Sequence, residues 1–217
     1  MERCHGHFEH HVPLTDHWAF LEAAAPDEAG PSCWRKPIYA RLMPLHHVAY
    51  ATRDVDATTH FYEDLMGFPL VHTEVQALGE SWIRHVFYDI GANGGGEGGG
   101  EPECIAFFQF HEVGEQPGWT TDVSNGVGLP FWVNHCAFRA TSEQQEAVRA
   151  RMTAEGIEPA MEQDHGWCHS LYYLDPNGIM VELCRDTPGF EPNPTEAHRL
   201  LGIDPLVETG ARSIEGA

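Results

Sequence analysis

The chain repeats itself, and the repeat narrows the folds open to it. Leu45 to Ala51 reads as a strand, and Asp54 then stands as N-cap of a helix running to Met66, with Val55, Thr58, Phe61, Tyr62 and Leu65 on one face and Gly67 as its stop. Strands follow over Pro69 to Val75, Trp82 to Ile90 and Cys104 to His111. The second half runs the same course. Val133 to Phe138 is a strand, Ser142 with Gln145 predicts a capping box, and the helix passes through Val148 and Met152 to Gly156, with three further strand segments beyond. His47 lies seven residues before Asp54, and His135 lies seven before Ser142. Alanine follows each histidine by two (Ala49, Ala137) and an aromatic by three (Tyr50, Phe138). The unit is strand, helix, three strands, written twice.

One such unit leaves a sheet face uncovered, so two are expected to pair into one curved, barrel-like sheet with the helices outside, an α+β fold. The expected organisation is an extension over residues 1–43, a paired βαβββ domain over 44–184 with modules at about 45–111 and 132–184, and a tail over 185–217.

The repeat also places the two histidines. Equivalent side chains meet near a pseudo-twofold axis, so a His47 that points into the concavity brings His135 with it. Strand alternation puts Ala49 and Ala137 on the same inward face, where they leave room. The last hairpin supplies an acid. Asp175-Pro176-Asn177-Gly178 has turn chemistry, and the strand after it, Ile179 to Cys184, carries Glu182 among apolar neighbours. A carboxylate there needs a partner, because an unpaired buried charge is costly. Two imidazoles and one carboxylate make a facial triad, the donor set of non-haem Fe(II) oxygenases, which Mn and Zn also tolerate. The counterpart of Glu182 in the first half falls near Phe107, which cannot ligate, so three protein ligands are expected. His46, His72 and His85 read as ordinary core or edge histidines.

Charge removes several functions. A net charge of −21 with 12 Lys+Arg, of which one is lysine, argues against nucleic acid and anionic membrane surfaces as partners. No apolar run approaches the roughly 18–20 residues that span a bilayer, and the first residues lack signal-peptide order, so a cytoplasmic protein is expected. Six cysteines without a CxxC read as reduced, mostly buried thiols. Five histidines in the first 17 residues match no metal spacing, and Asp16 to Ala25 reads as a short helix. The glycine-rich stretch before Cys104 has no GxxxxGK, so no phosphate cradle is expected.

The two modules resemble those of the vicinal oxygen chelate superfamily, which includes glyoxalase I, extradiol ring-cleaving dioxygenases and fosfomycin-resistance enzymes. The resemblance spans about residues 45–184. Within that superfamily, His165, Leu171, Tyr172, Asp175, Pro176, Gly178 and Glu182 follow the extradiol signature in order, with Gln163 its one mismatch. The resemblance implies metal ligation by His47, His135 and Glu182, with Tyr172 beside the metal; His165 and His169, at the mouth of the hairpin, read as acid/base or orienting groups or as simply exposed. Extradiol enzymes carry a further histidine upstream of the second ligand. Glu112 to Asn134 contains none, which leaves His111, His165 or His169 for that part, or a different chemistry.

The resulting expectation is an Fe(II)-dependent dioxygenase of extradiol type acting on a catechol-like or vicinally oxygenated small molecule with dioxygen. The alternatives are a redox-neutral isomerase, lyase or thiol transferase using Mn, Zn, Ni or Co, and a small-molecule binding module. The resemblance also implies a homodimer.

Overall fold

A computed structural model describes residues 45–91, 102–111 and 118–203 of the chain. The N-terminal histidines, the Asp16 to Ala25 helix and most of the glycine-rich stretch lie outside the described residues. The first module opens with β1 (His47–Thr52), followed by α1 (Val55–Thr59), a π-helical continuation (His60–Met66), and then β2 (Leu70–Leu78), β3 (Ser81–Asp89) and β4 (Cys104–Phe110). A short α2 (Val123–Gly126) leads into the second: β5 (His135–Arg139), α3 (Ser142–Ala154), β6 (Met161–Asp164), β7 (Cys168–Leu174) and β8 (Met180–Asp186). A last helix, α4 (Pro194–Leu201), lies in the segment expected only as a tail.

Each module folds into a four-stranded mixed sheet, and the two orders match: β1-β4-β3-β2 and β5-β8-β7-β6. In each, the first strand pairs parallel with the last. The α+β class and the paired modules are therefore as expected, with one qualification about the join. β1 and β5 are edge strands of separate sheets, linked through side chains, including a contact of 2.9 Å between Tyr50 Oη and Cys136 Sγ.

Local chemistry explains the first helix and corrects its type. Asp54 caps it by accepting from the backbone N–H groups of Asp56 and Ala57, and Gly67 ends it at φ 83°, where a residue with a Cβ would be strained. Between them an uninterrupted α-helix was expected, yet the second half is π-helical. Its buried residues are Phe61, Tyr62, Leu65 and Met66, a spacing of four to five that suits the wider π turn and sets all four against the core. Thr58 and Thr59 hydroxyls bond back to the carbonyls of Asp54 and Val55 at 2.8 and 2.7 Å, which loosens the preceding α turn.

The cap of α3 also differs from expectation. Thr141 is the N-cap, with Gln144 completing the capping box. Ser142 and Gln145 are each one residue too late for it. The histidine-to-cap interval is thus seven residues in the first module and six in the second. Gln145 is buried instead, and its amide donates to the carbonyls of His169 and Leu183 at 3.0 and 2.8 Å, tying α3 to β7 and β8.

The modules share one core. Tyr62, Leu65 and Phe107 from the first belong to the same buried cluster as Phe138, Met152 and Leu171 from the second. The turn at Asp175 is the polar rivet between them. Its carboxylate accepts from the backbone N–H groups of Asn177 and Ile179, both at 2.8 Å, and from Tyr62 Oη at 3.1 Å, while Asn177 Nδ2 donates to Thr58 Oγ1 at 3.2 Å. The residues read as a hairpin turn thus also fasten the second module to the first helix.

Candidate metal and substrate site

Register decides which side chains share a face. In the second module, His135 pairs with Met180 and Ala137 with Glu182 in the parallel ladder, while Tyr172 pairs with Glu182 in the antiparallel one. Alternation therefore puts His135, Ala137, Glu182, Tyr172, Ser170 and Cys168 on the face away from α3. The first module is laid out alike, with His47 opposite Cys104 and Ala49 opposite Ala106. The residue equivalent to Glu182 is consequently Ala106 and not Phe107, one place along the strand. Phe107 turns to the helix side, with its ring centroid 4.9 Å from that of Tyr62. A methyl group at Ala106 ligates no better than a phenyl ring, so the count of three protein ligands is unchanged.

His135 and Glu182 come together. Nε2 of His135 lies 3.2 Å from Oε2 of Glu182, and Nδ1 lies 3.1 Å from the carbonyl oxygen of Trp132. A carbonyl only accepts, so Nδ1 donates its proton to it. Nε2 and the carboxylate oxygen face each other across a distance that a shared cation, a proton or a metal, satisfies. Glu182 is 5% exposed, and its other oxygen accepts from Ser170 Oγ at 2.5 Å. Nδ1 bonded to a carbonyl, with Nε2 turned to the carboxylate, is the arrangement that orients a metal-ligating histidine. The donors present thus fit a divalent cation.

Two further donors surround the same carboxylate. Ligand atoms of His165, Cys168 and Glu182 lie within 4.8 Å of one another, and among the described residues this is the one such three-donor group. His165 Nε2 is 3.0 Å from the Tyr172 hydroxyl. Burial, with the nearby Glu182 charge adding to it, pushes the Tyr172 phenol up to about 12, so it stays protonated and able to donate across the neutral range.

The remaining candidates are placed differently. His47 starts β1 as the counterpart of His135, but its Nδ1 is 2.8 Å from Nδ1 of His46, and its ring packs against His85 and Phe87. It does not belong to the three-donor group around Glu182. His169 pairs with Asp164 and Arg185 on the opposite face of β7 from Tyr172, with its ring nitrogen 3.7 Å from Asp164. His111 stacks on Trp82 at the far end of β4.

His85 was expected to be a satisfied core histidine, yet it is buried on the face that carries His47, and its Nε2 has no hydrogen-bond partner. Burial first, then the neighbouring His47, lowers its pKa and keeps the ring neutral. Only the register of β3 against β4, which sets His85 opposite Phe108 and Phe87 opposite Ala106, shows which face it takes.

Comparison with known families agrees with this architecture. The model of the Glyoxalase/Bleomycin resistance protein/Dioxygenase superfamily matches residues 44–183. The chain belongs to that superfamily. A relative within reach of sequence comparison is MhqA of Bacillus subtilis (strain 168), provisionally named a ring-cleaving dioxygenase, to which the chain is 33% identical over 164 residues. That alignment takes in 74% of this chain but 46% of MhqA, so the chain spans about half the length of that relative. Superfamily folds are also found among solved structures. A variant of FosX from Listeria monocytogenes, a fosfomycin resistance protein complexed with Mn(II) and a dihydroxypropylphosphonic acid, is 19% identical with a TM-score of 0.46, over 74% of this chain and 99% of FosX. A lactoylglutathione lyase from Agrobacterium tumefaciens is 19% identical with a TM-score of 0.42, over 70% of this chain and all (100%) of the lyase. No described helix of this superfamily member is long and apolar enough to cross a membrane.

Proposed function

We propose that the chain is a metal-dependent dioxygenase of extradiol type, using Fe(II) to open a catechol-like or vicinally oxygenated ring. The observation that carries this reading is the approach of His135 Nε2 and Glu182 Oε2 at 3.2 Å, with the Tyr172–His165 pair at 3.0 Å on the same face. An imidazole, a buried carboxylate and a phenol–imidazole couple in one place offer donors to a metal and hydrogen-bonding and proton-handling groups beside it.

In this reading His135 and Glu182 hold the metal, and His47 completes the set from the matching position of the first module. The metal, when bound, supplies a Lewis-acidic and redox-active centre at which a chelating diol and dioxygen come together. Trp132, through its carbonyl, fixes the tautomer of His135, and Ser170 fixes the orientation of Glu182. Tyr172 donates its phenolic proton in a hydrogen bond to a substrate oxygen as negative charge develops there. His165, bonded to the same hydroxyl and exposed on its other side, takes up and returns protons at the mouth of the site. His169, on the other side of the sheet, has no part in it. MhqA, a relative that carries a ring-cleavage name, supports the dioxygenase branch over the isomerase branch.

Anaerobic loading of the full chain with Fe(II), followed by oxygen uptake on a panel of catechols, tests the reading. Oxygen consumption matched by a ring-opened product is expected; a silent panel on fully loaded protein would contradict it.

A further inference from the structure

The first module presents a polar group that no interaction inside the described fold explains. His85 is 8% exposed, and its Nε2 is buried without a hydrogen-bond partner. Its ring lies almost flat on Phe108, with centroids 3.6 Å apart and planes at 14°, and it sits 4.0 Å from Phe87. The ring of His47 is 5.9 Å away, at 66°, and is itself 5.4 Å from Phe87. The ladder puts His85, Phe87 and Phe108 on the face that holds His47 and Ala49. Buried polar atoms in native folds are nearly always paired, and an exception needs an explanation. A ligand that arrives from outside the fold supplies one.

We infer that His85 Nε2 receives a phenolic oxygen of an aromatic ligand whose ring lies against Phe87 and Phe108, on the face that carries His47. The inference rests on the reading of this face as the substrate side of the metal centre, and it adds the residue that receives the hydroxyl of the ring. Flat aromatic walls favour an aromatic ring, which they meet edge-to-face or offset. A phenol suits a neutral imidazole because its hydroxyl both donates and accepts. An anionic substituent does not suit this place. Glu74 is the cross-strand neighbour of His85, and Arg84, next to it in sequence, points to the opposite face of the sheet. Carboxylate or phosphonate groups would therefore meet a negative charge whose one ion-pair partner among the described residues is His72, at 3.4 Å from Glu74.

The test uses the full chain loaded with Fe(II) under argon and 4-nitrocatechol as the probe, followed by its absorbance. His85→Leu is expected to weaken probe binding by about tenfold or more, to leave iron content unchanged, and to keep or raise the melting temperature of the metal-free protein, because it removes an unpaired polar atom from a buried site. His85→Gln, which keeps a donor and an acceptor, is expected to recover part of the affinity. Probe binding in His85→Leu within about twofold of wild type, or a clear drop in its melting temperature, would overturn the inference by making His85 a packing residue. Wild-type chain that takes up Fe(II) but not 4-nitrocatechol would overturn it while leaving the metal centre standing. A wild-type chain that takes up no Fe(II) would sink the metal centre and this inference together.

Discussion

His135 and Glu182 stand on adjacent parallel strands with Nε2 of the one 3.2 Å from Oε2 of the other. The interaction is set from behind at both ends. The Trp132 carbonyl accepts a hydrogen bond from His135 Nδ1, and the Ser170 hydroxyl donates one to the far oxygen of Glu182. If orientation of the carboxylate matters, Ser170→Ala weakens metal affinity by about 10- to 100-fold without abolishing it. Titration of the metal-free protein with Fe(II) or Co(II) measures this. An unchanged affinity would mean that Ser170 merely fills space.

Tyr172 and His165 are expected to affect chemistry and not metal content. Tyr172→Phe should retain stoichiometric metal and lower turnover by about 10²-fold or more. Because burial holds the phenol up to about 12, Tyr172 should introduce no break in the rate profile through the neutral range, whereas a break lost in His165→Ala would assign proton handling to that imidazole. Steady-state oxygen uptake as a function of pH distinguishes the two.

The fold reads well from the sequence wherever local chemistry is enough. Asp54, Gly67, Asp175 and Gly178 mark a cap, a stop and a turn by backbone chemistry alone, and the doubled histidine position exposes the repeat. Other features depend on distant partners. The Thr141 cap and the Ser142 alternative differ by one residue in a run where either hydroxyl would serve. The π turn at His60–Met66 follows from which side chains the core takes in. The face that His85 takes is another such feature, since the run Trp82 to Phe87 does not say which of its faces His47 shares, and only the pairing of β3 with β4 settles that. Of the candidate site residues, the structure brings His135, Glu182, Tyr172 and His165 together, which strand alternation and the hairpin turn make legible in the sequence, and it leaves His47 beside His46, His85 and Phe87, which only side-chain packing decides.

The Asp175 turn should carry much of the coupling between modules. Asp175→Ala strands the buried hydroxyl of Tyr62 and two backbone N–H groups, and a loss of about 3 kcal/mol or more is expected. Gly178→Ala should also destabilise, because φ is 78° and the added Cβ would meet Asp122 at 2.8 Å. Urea unfolding followed by far-UV circular dichroism measures both. Near-neutral substitutions would show that the modules are held by their apolar core alone.

A pH dependence is expected at His60, which bridges the first helix and the end of α3. Glu155 first, then Asp64, raises its pKa above the ordinary histidine value. A group raised on folding adds stability that is complete below about 6.5 and is lost as pH rises through the folded value. The difference in melting temperature between wild type and His60→Ala should therefore be larger at pH 5.5 than at pH 9. A larger difference at the alkaline end would refute the assignment.

Metal content tests the central claim most directly. After anaerobic incubation with Fe(II) and desalting, the wild-type chain is predicted to hold one iron, and His47→Ala, His135→Ala and Glu182→Ala to hold almost none, with circular dichroism spectra matching wild type. Gln109→Ala and His111→Ala are predicted to hold wild-type iron. Full iron in His135→Ala or Glu182→Ala would contradict the account, and full iron in His47→Ala alone would move the third ligand to His165 or Cys168, the other donors around Glu182.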